Sequence, residues 1–174
     1  MIEIKSNWYF LKQRNKYTVF LWVAAFLWML FIFFLSSQPA PVSNGLSKKV
    51  TMVFIDIAKQ VKEIDIASLN HVGEINNKVR DYMHIFVYII LVIIVVNALR
   101  SIGMGMFISS VLALFISVAF ACSDEIHQMY VPGRAMQAED FLRDCAGVVL
   151  GLTIYNISVL LYKSANFFKP KRRH

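Results

Sequence analysis

Residues 121 to 134, ACSDEIHQMYVPGR, set Asp124, Glu125, His127, Gln128 and Arg134 directly after a run apolar enough to cross a membrane. Ionisable groups at such a boundary need partners or water, so they brace one another, carry protons or hold a polar ligand. Two further clusters share this character. His84 and Tyr88 stand four residues apart with Arg80 one turn before, and Asp140, Asp144, Gly147 and Gly151 follow at spacings of four, three and four. Ser36, Ser37 and Gln38 close the first apolar run.

An imidazole changes charge near neutral pH and the acidity of a carboxyl is set by its surroundings, so His84 with Glu125 is the candidate base and acid. The structural alternative is that His84 hydrogen-bonds Asp124 across a helix contact. No nucleophile elbow, phosphate loop or metal-spaced His pair is present. His71, His127, His84 and Asp124 could be drawn around a divalent ion, but distant residues of common types always permit this, and no metal or cofactor is assigned. Pro132 and Gly133 make a tight reversal, Gly133 being free to take a positive φ, which aims Arg134 back over the helix ends. Its guanidinium then either clasps Asp124, Glu125 or Asp140 or holds an anionic ligand group bidentately.

The elements that must carry these groups are membrane helices. A chain of 174 residues that is 57% hydrophobic and 17% charged is unlike a soluble globule. Four stretches approach the roughly 20 residues a bilayer core demands, at about 18–37, 82–99, 103–122 and 141–162, the last with Arg143 and Asp144 at its start. The first is too long and too rich in Trp and Phe for a cleaved signal and is read as a retained helix. The expected fold is therefore an all-α membrane protein of four transmembrane helices, within a domain spanning 18–162. A basic N-terminus, 1–17, and a basic tail, 163–174, flank it.

Basic residues before the first span, at Arg100, and after the fourth place these segments and both termini in the cytoplasm by the positive-inside rule. The net charge of +7 gathers beside apolar runs, a pattern of topology and anionic lipid rather than of nucleic acid. The segment from Gln38 to Asp81 and the turn from Ser123 to Asp140 then lie outside. Within the former, Val50, Val53, Phe54, Ile57, Val61 and Ile64 recur at helical spacing, forming an amphipathic helix that is either a lid on the bundle or an interfacial anchor. Pro39, Pro41, Ser43, Asn44 and Gly45 mark a boundary after the first helix. Cys122 and Cys145 are packed small residues or, if the outer face is oxidising, a bridge between helix ends.

On the third helix Ser110, Ser117, Ala121, Asp124 and Gln128 fall within an arc of about 60°, and the Asp140 to Gly151 set shares an arc of similar width on the fourth. Gly147 and Gly151 allow a close helix approach, which brings Asp140 and Asp144 against a neighbour. Polar groups thus collect near the outer end of every helix while the inner halves are almost uniformly apolar. The expectation is one polar cavity, open outward, at the top of the bundle.

The ordered set SSQP, RDYMHIFVY, SDEIHQMYVPGR and DFLRDCAGVVLG resembles the VanZ-like family of small bacterial membrane proteins, named for an accessory protein of glycopeptide resistance operons. Ser36, Ser37, Gln38, Arg80, His84, Tyr88, Asp124, Glu125, Gln128, Arg134, Asp140, Asp144, Gly147 and Gly151 match its pattern. Asp81 and Val87 depart from it, where the family often has Lys and an acid. The resemblance implies a multi-pass protein of the bacterial plasma membrane, whose founding relative is associated with lower susceptibility to teicoplanin.

Three functions fit. The first is binding of a lipoglycopeptide, or of a cell-envelope lipid such a drug needs, with Arg134, Gln128 and the serines as polar contacts. The second is a membrane enzyme acting on a lipid headgroup or lipid-linked cell-wall precursor through His84 and Glu125. The third is a structural or transport subunit.

Overall fold

The computed structural model describes residues 2–61 and 72–167. Among them the chain forms five helices and no strand: α1 (Ile2–Ser36), α2 (Ala40–Val61), α3 (Val72–Ser101), α4 (Met106–Gln128) and α5 (Ala138–Phe167). Four are long and apolar enough to cross a membrane, over Asn15–Ser36, Gly73–Ser101, Met106–Gln128 and Ala138–Ala165. The all-α membrane architecture read from the sequence is the one observed.

Several of the expected boundaries move, and α3 begins at Val72, well before 82, so that Asp81 lies within that helix rather than in the outer segment. Pro39, which disfavours helix in the residue before it, separates α1 from α2, and its carbonyl accepts from Val42 N and Ser43 N at 3.0 Å each. Pro41 sits in the first turn of α2, where its missing N–H costs nothing, so Pro41, Ser43, Asn44 and Gly45 lie inside that helix rather than in a boundary loop. The amphipathic helix consequently starts at Ala40, well before Val50; the expected positions 62–64 and His71 lie outside the described residues. Ser123 to Gln128, expected in an outer turn, are the last turns of α4. Nothing in their sequence breaks a helix before Pro132, and the buried face of Ser117, Ala121, Asp124 and Gln128 runs unbroken to the end.

The α3 helix is the axis of the fold and packs against all four others. Its fully buried Tyr88, Leu91, Val92, Val95 and Val96 recur at three and four, so the apolar stripe is wide enough to face several neighbours at once. Helix α5 lies closest to it. A Cβ on Gly147 would collide with the carbonyl oxygen of Ile85, and one on Gly151 would stand 2.5 Å from Val92 Cγ1 and 3.0 Å from Ile89 O. Without those side chains the two backbones meet, as small residues allow where lipid supplies no hydrophobic drive.

Helix α2 rests on α3. Thr51 is fully buried; its hydroxyl donates to Ser47 O at 2.9 Å and lies 3.4 Å from Asn76 Oδ1 of α3. At the far end of the bundle Thr18 Oγ1 donates to Ser101 O at 3.5 Å, and Gly103, at φ 96°, opens the short turn into α4. The inner halves are less uniformly apolar than expected: Ser110 Oγ donates to Asn156 Oδ1 at 3.1 Å, linking α4 to α5, and Asn97 Nδ2 donates to its own helix at Ile93 O.

Candidate functional site

The ends of α1, α3, α4 and α5 converge, and the polar groups of each meet there. Ser36 is the last residue of α1, and its hydroxyl donates to Asp124 Oδ2 at 2.5 Å. Gln128, one turn beyond Asp124, points its amide nitrogen at Ser36 Oγ, Asp124 Oδ2 and Glu125 Oε1, at 3.2, 3.4 and 3.4 Å. The Gln128 carbonyl in turn accepts from Arg134 Nη1 at 3.0 Å. Glu125 Oε2 receives the backbone N–H of Gln137 at 3.1 Å, which ties the loop after α4 back onto its end. Asp124, Glu125 and Gln128 are all buried.

Pro132 and Gly133 make the anticipated reversal: Arg134 N donates to Val131 O at 3.1 Å and Gly133 takes φ 75°, as in a type II turn. Arg134 is thereby turned inward, but it does not clasp Asp124, Glu125 or Asp140. Each of those acids is already engaged, Asp140 by Arg143 Nη1 at 2.6 Å, and the amide of Gln128 stands between the guanidinium and the α4 carboxylates. Burial pulls Arg134 below the usual arginine range and the nearby Arg80 adds to this, against the attraction of Asp124, Asp140 and Glu125.

His84 donates through Nδ1 to Asp144 Oδ1 at 3.0 Å. Its direct partner is therefore on α5, not Glu125 or Asp124 on α4, because the glycine face of α5 brings Asp144 against α3. With Nδ1–H committed, a neutral ring carries its lone pair on Nε2.

Two adjacent cavities occupy this end. The larger, about 340 Å³, has an apolar wall that includes Ile32, Leu35, Leu46, Val50, Met83 and Val87. Its polar end holds Ser36, Arg80, His84, Tyr88, Asp124 and Arg134. The smaller, about 70 Å³, includes Gln128, Gln137 and Asp140 in its walls. Ser43, Arg80, His84 and Arg134 line both, and the border they share is the neck.

Some of the expected residues lie elsewhere. Gln38 bonds back to Phe34 O at 3.1 Å in an exposed position, and Ser37 turns to His127, whose Nε2 lies 3.1 Å from its hydroxyl and whose ring stacks on Phe33. Glu125 and Asp144 do not line either cavity; they stand behind the groups that do. Asp81 and Val87 have structural roles here. Asp81 lies 3.4 Å from Arg143 Nε, and the Val87 carbonyl accepts from Trp28 Nε1 at 2.9 Å.

Two contributions were not anticipated. Arg143 gathers Asp81, Glu139 and Asp140, and its spacing of three and four from the last two was a readable signal. Leu46, Ser47, Lys49 and Val50 make α2 a wall of the larger cavity, consistent with the lid reading, and no spacing rule foretells which face of α2 that wall uses. Among the described residues Cys122 and Cys145 are free thiols, and no three His, Cys, Asp or Glu side chains are grouped to hold a metal ion.

No curated protein and no solved structure matches the chain. A family model described as VanZ/LLP1 does match, over residues 20–161, a range that takes in α1 from Phe20 onward, all the converging ends and most of α5. The chain belongs to the VanZ/LLP1 family.

Proposed function

We propose that the protein binds an amphiphile at the converging helix ends and thereby lowers susceptibility to lipoglycopeptides such as teicoplanin, by holding the drug or a cell-envelope lipid it needs. In this reading it resides in a bacterial plasma membrane with both termini cytoplasmic and the cavity facing outward. The observation that supports it is the larger cavity, apolar along one wall and polar at one end, with a volume within the range of ligand pockets. Teicoplanin has an acyl chain and vancomycin lacks one, so deletion is expected to raise susceptibility to teicoplanin and overexpression to lower it, with a smaller effect on vancomycin. Unchanged susceptibility to both drugs in all strains overturns the reading.

A second reading is favoured by the His84–Asp144 contact: acid-base chemistry on a lipid headgroup or lipid-linked cell-wall precursor. His84 sits in the neck with Nδ1 held by a carboxylate, an arrangement that orients an imidazole for proton transfer at Nε2. Glu125, expected as the acid paired with it, accepts hydrogen bonds at both oxygens and would orient the Gln128 amide rather than transfer a proton itself. Lipid and precursor profiles of cells carrying His84→Ala or Glu125→Gln in place of the parent chain test this; profiles identical to the parent's remove it.

A further inference from the structure

Of the charged groups at the converging ends, every acid accepts at least one hydrogen bond, although Asp124 Oδ1 and Asp144 Oδ2 have no partner, and two cations lack an acidic partner among the described residues. Asp124 accepts from Ser36 and Gln128, Glu125 from Gln128 and Gln137, Asp140 from Arg143, and Asp144 from His84. Arg134 has a neutral partner, the Gln128 carbonyl, and no ion pair among the described residues. Arg80 has neither a hydrogen bond nor an ion pair among them, and its Nε is fully buried without a partner. Both guanidinia line the neck between the apolar and the polar cavity. Two like charges held together in partly desolvated surroundings repel each other, and the nearby Asp124, Asp140 and Glu125, which attract Arg134 from a distance, are bound to other partners and pair with neither arginine. An anion entering the neck relieves it instead.

We propose that the ligand is a phosphate-bearing membrane lipid, its phosphate held between Arg80 and Arg134 and its acyl chain lying along Ile32, Leu35, Leu46 and Val50. This rests on the reading that the cavity takes an amphiphile. Guanidinium forks match the oxygens of a phosphate bidentately, and a phosphate offers enough oxygens for two forks at once. Arg80, Arg134 and the apolar wall line the same larger cavity, so head and chain need not separate. Lys49, also on the larger cavity, adds to the positive field. Phe31, Leu46 and Met83 line the cavity and are exposed in the isolated chain, so the apolar wall can be reached from outside the bundle.

Binding of dioleoyl phosphatidic acid and of dioleoylglycerol to the purified full-length protein in detergent micelles tests this, because the two lipids differ only in the phosphate. The parent chain is expected to prefer the phosphatidic acid by about tenfold or more, and the preference to shrink to about twofold in Arg80→Gln/Arg134→Gln, as loss of charge-assisted contacts implies. Inorganic phosphate at equal concentration leaves the bound lipid in place, which separates a lipid site from a free-anion site; displacement by it overturns the lipid assignment. Equal binding of the two lipids by the parent chain overturns the phosphate proposal and leaves the amphiphile reading standing. Binding of neither lipid overturns both. A preference that survives in the double variant places the phosphate elsewhere and also overturns the proposal. Should that variant not fold, the comparison of lipids on the parent chain still decides.

Discussion

His84 and Asp144 face each other across the α3–α5 contact with Nδ1 and Oδ1 3.0 Å apart, and the Asp144 side chain is fully buried. The pair joins the two helices whose backbones lie closest, so it is as much a fastening of the bundle as a part of the cavity. His84→Ala leaves a buried carboxylate without its donor, a change that costs about 3–5 kcal/mol when a buried pair is broken. Removing both groups relieves that penalty. The double variant His84→Ala/Asp144→Ala is therefore expected to lose less stability than the sum of the single losses, measured by unfolding in detergent micelles. Strict additivity would show that the contact carries no coupling.

The close approach of α5 makes a second prediction. Gly147→Ala puts a methyl group into the Ile85 carbonyl, which is backbone and yields only if the helices part. Overpacking of this kind costs about 1–3 kcal/mol. Gly45→Ala in α2, where a Cβ meets nothing within 4 Å, is expected to stabilise by about 0.5–1 kcal/mol, because alanine loses less backbone entropy in a helix. Thermal unfolding of the two variants should move in opposite directions; a gain from Gly147→Ala would mean that the α3–α5 spacing is looser than described, and a loss from Gly45→Ala would overturn the prediction for α2.

These contrasts show what a sequence of this kind makes legible. Hydrophobic runs of bilayer length identify four spans, and a repeat of 3.6 identifies the face on which Asp124 and Gln128, or Asp144 and Gly147, must lie. Periodicity gives the azimuth of a face but not the neighbour it meets. That α3 is the central helix, and that Asp144 rather than Glu125 or Asp124 receives His84, depends on which helices meet and at what distance. The glycines hinted at the distance and were silent on the partner. Apolar length alone stops the third span at 122, whereas Asp124, Glu125 and Gln128 each find a partner inside the bundle, so the helix continues through them along the face the repeat identifies.

Ser36 and Gln38 are two residues apart and face different surroundings. Ser36 donates to Asp124 Oδ2 in the interior, whereas the Gln38 amide folds back onto α1 at Phe34 O. Asp124 Oδ1 already lacks a partner, so Ser36→Ala leaves a buried carboxylate with only the shared amide of Gln128. A loss of about 1–3 kcal/mol follows from the unmade hydrogen bond, while Gln38→Ala is expected to stay within about 0.5 kcal/mol, as surface changes do. Parallel melting curves decide it, and equal losses would remove Ser36 from the network.

The orientation proposed for the bundle has its own test, because the two ends expose different side chains. Tyr130, in the loop after α4, is 80% exposed, and Ile102, in the turn between α3 and α4 at the opposite end, is 46% exposed. Arg100 stands beside Ile102, and further cations flank the spans in the two terminal segments, while those between Gln38 and Asp81 lie in a longer loop interspersed with acids, so the positive-inside rule for short flanks puts the Ile102 end in the cytoplasm. In a chain whose Cys122 and Cys145 have been replaced by serine, a membrane-impermeant maleimide added to intact cells should therefore label Tyr130→Cys and leave Ile102→Cys unmodified until the cells are opened. Labelling of Ile102→Cys alone would turn the cavity toward the cytoplasm. Lipid captured there would come from the inner leaflet, out of contact with a drug that acts outside, and the lipoglycopeptide reading would fall with the orientation.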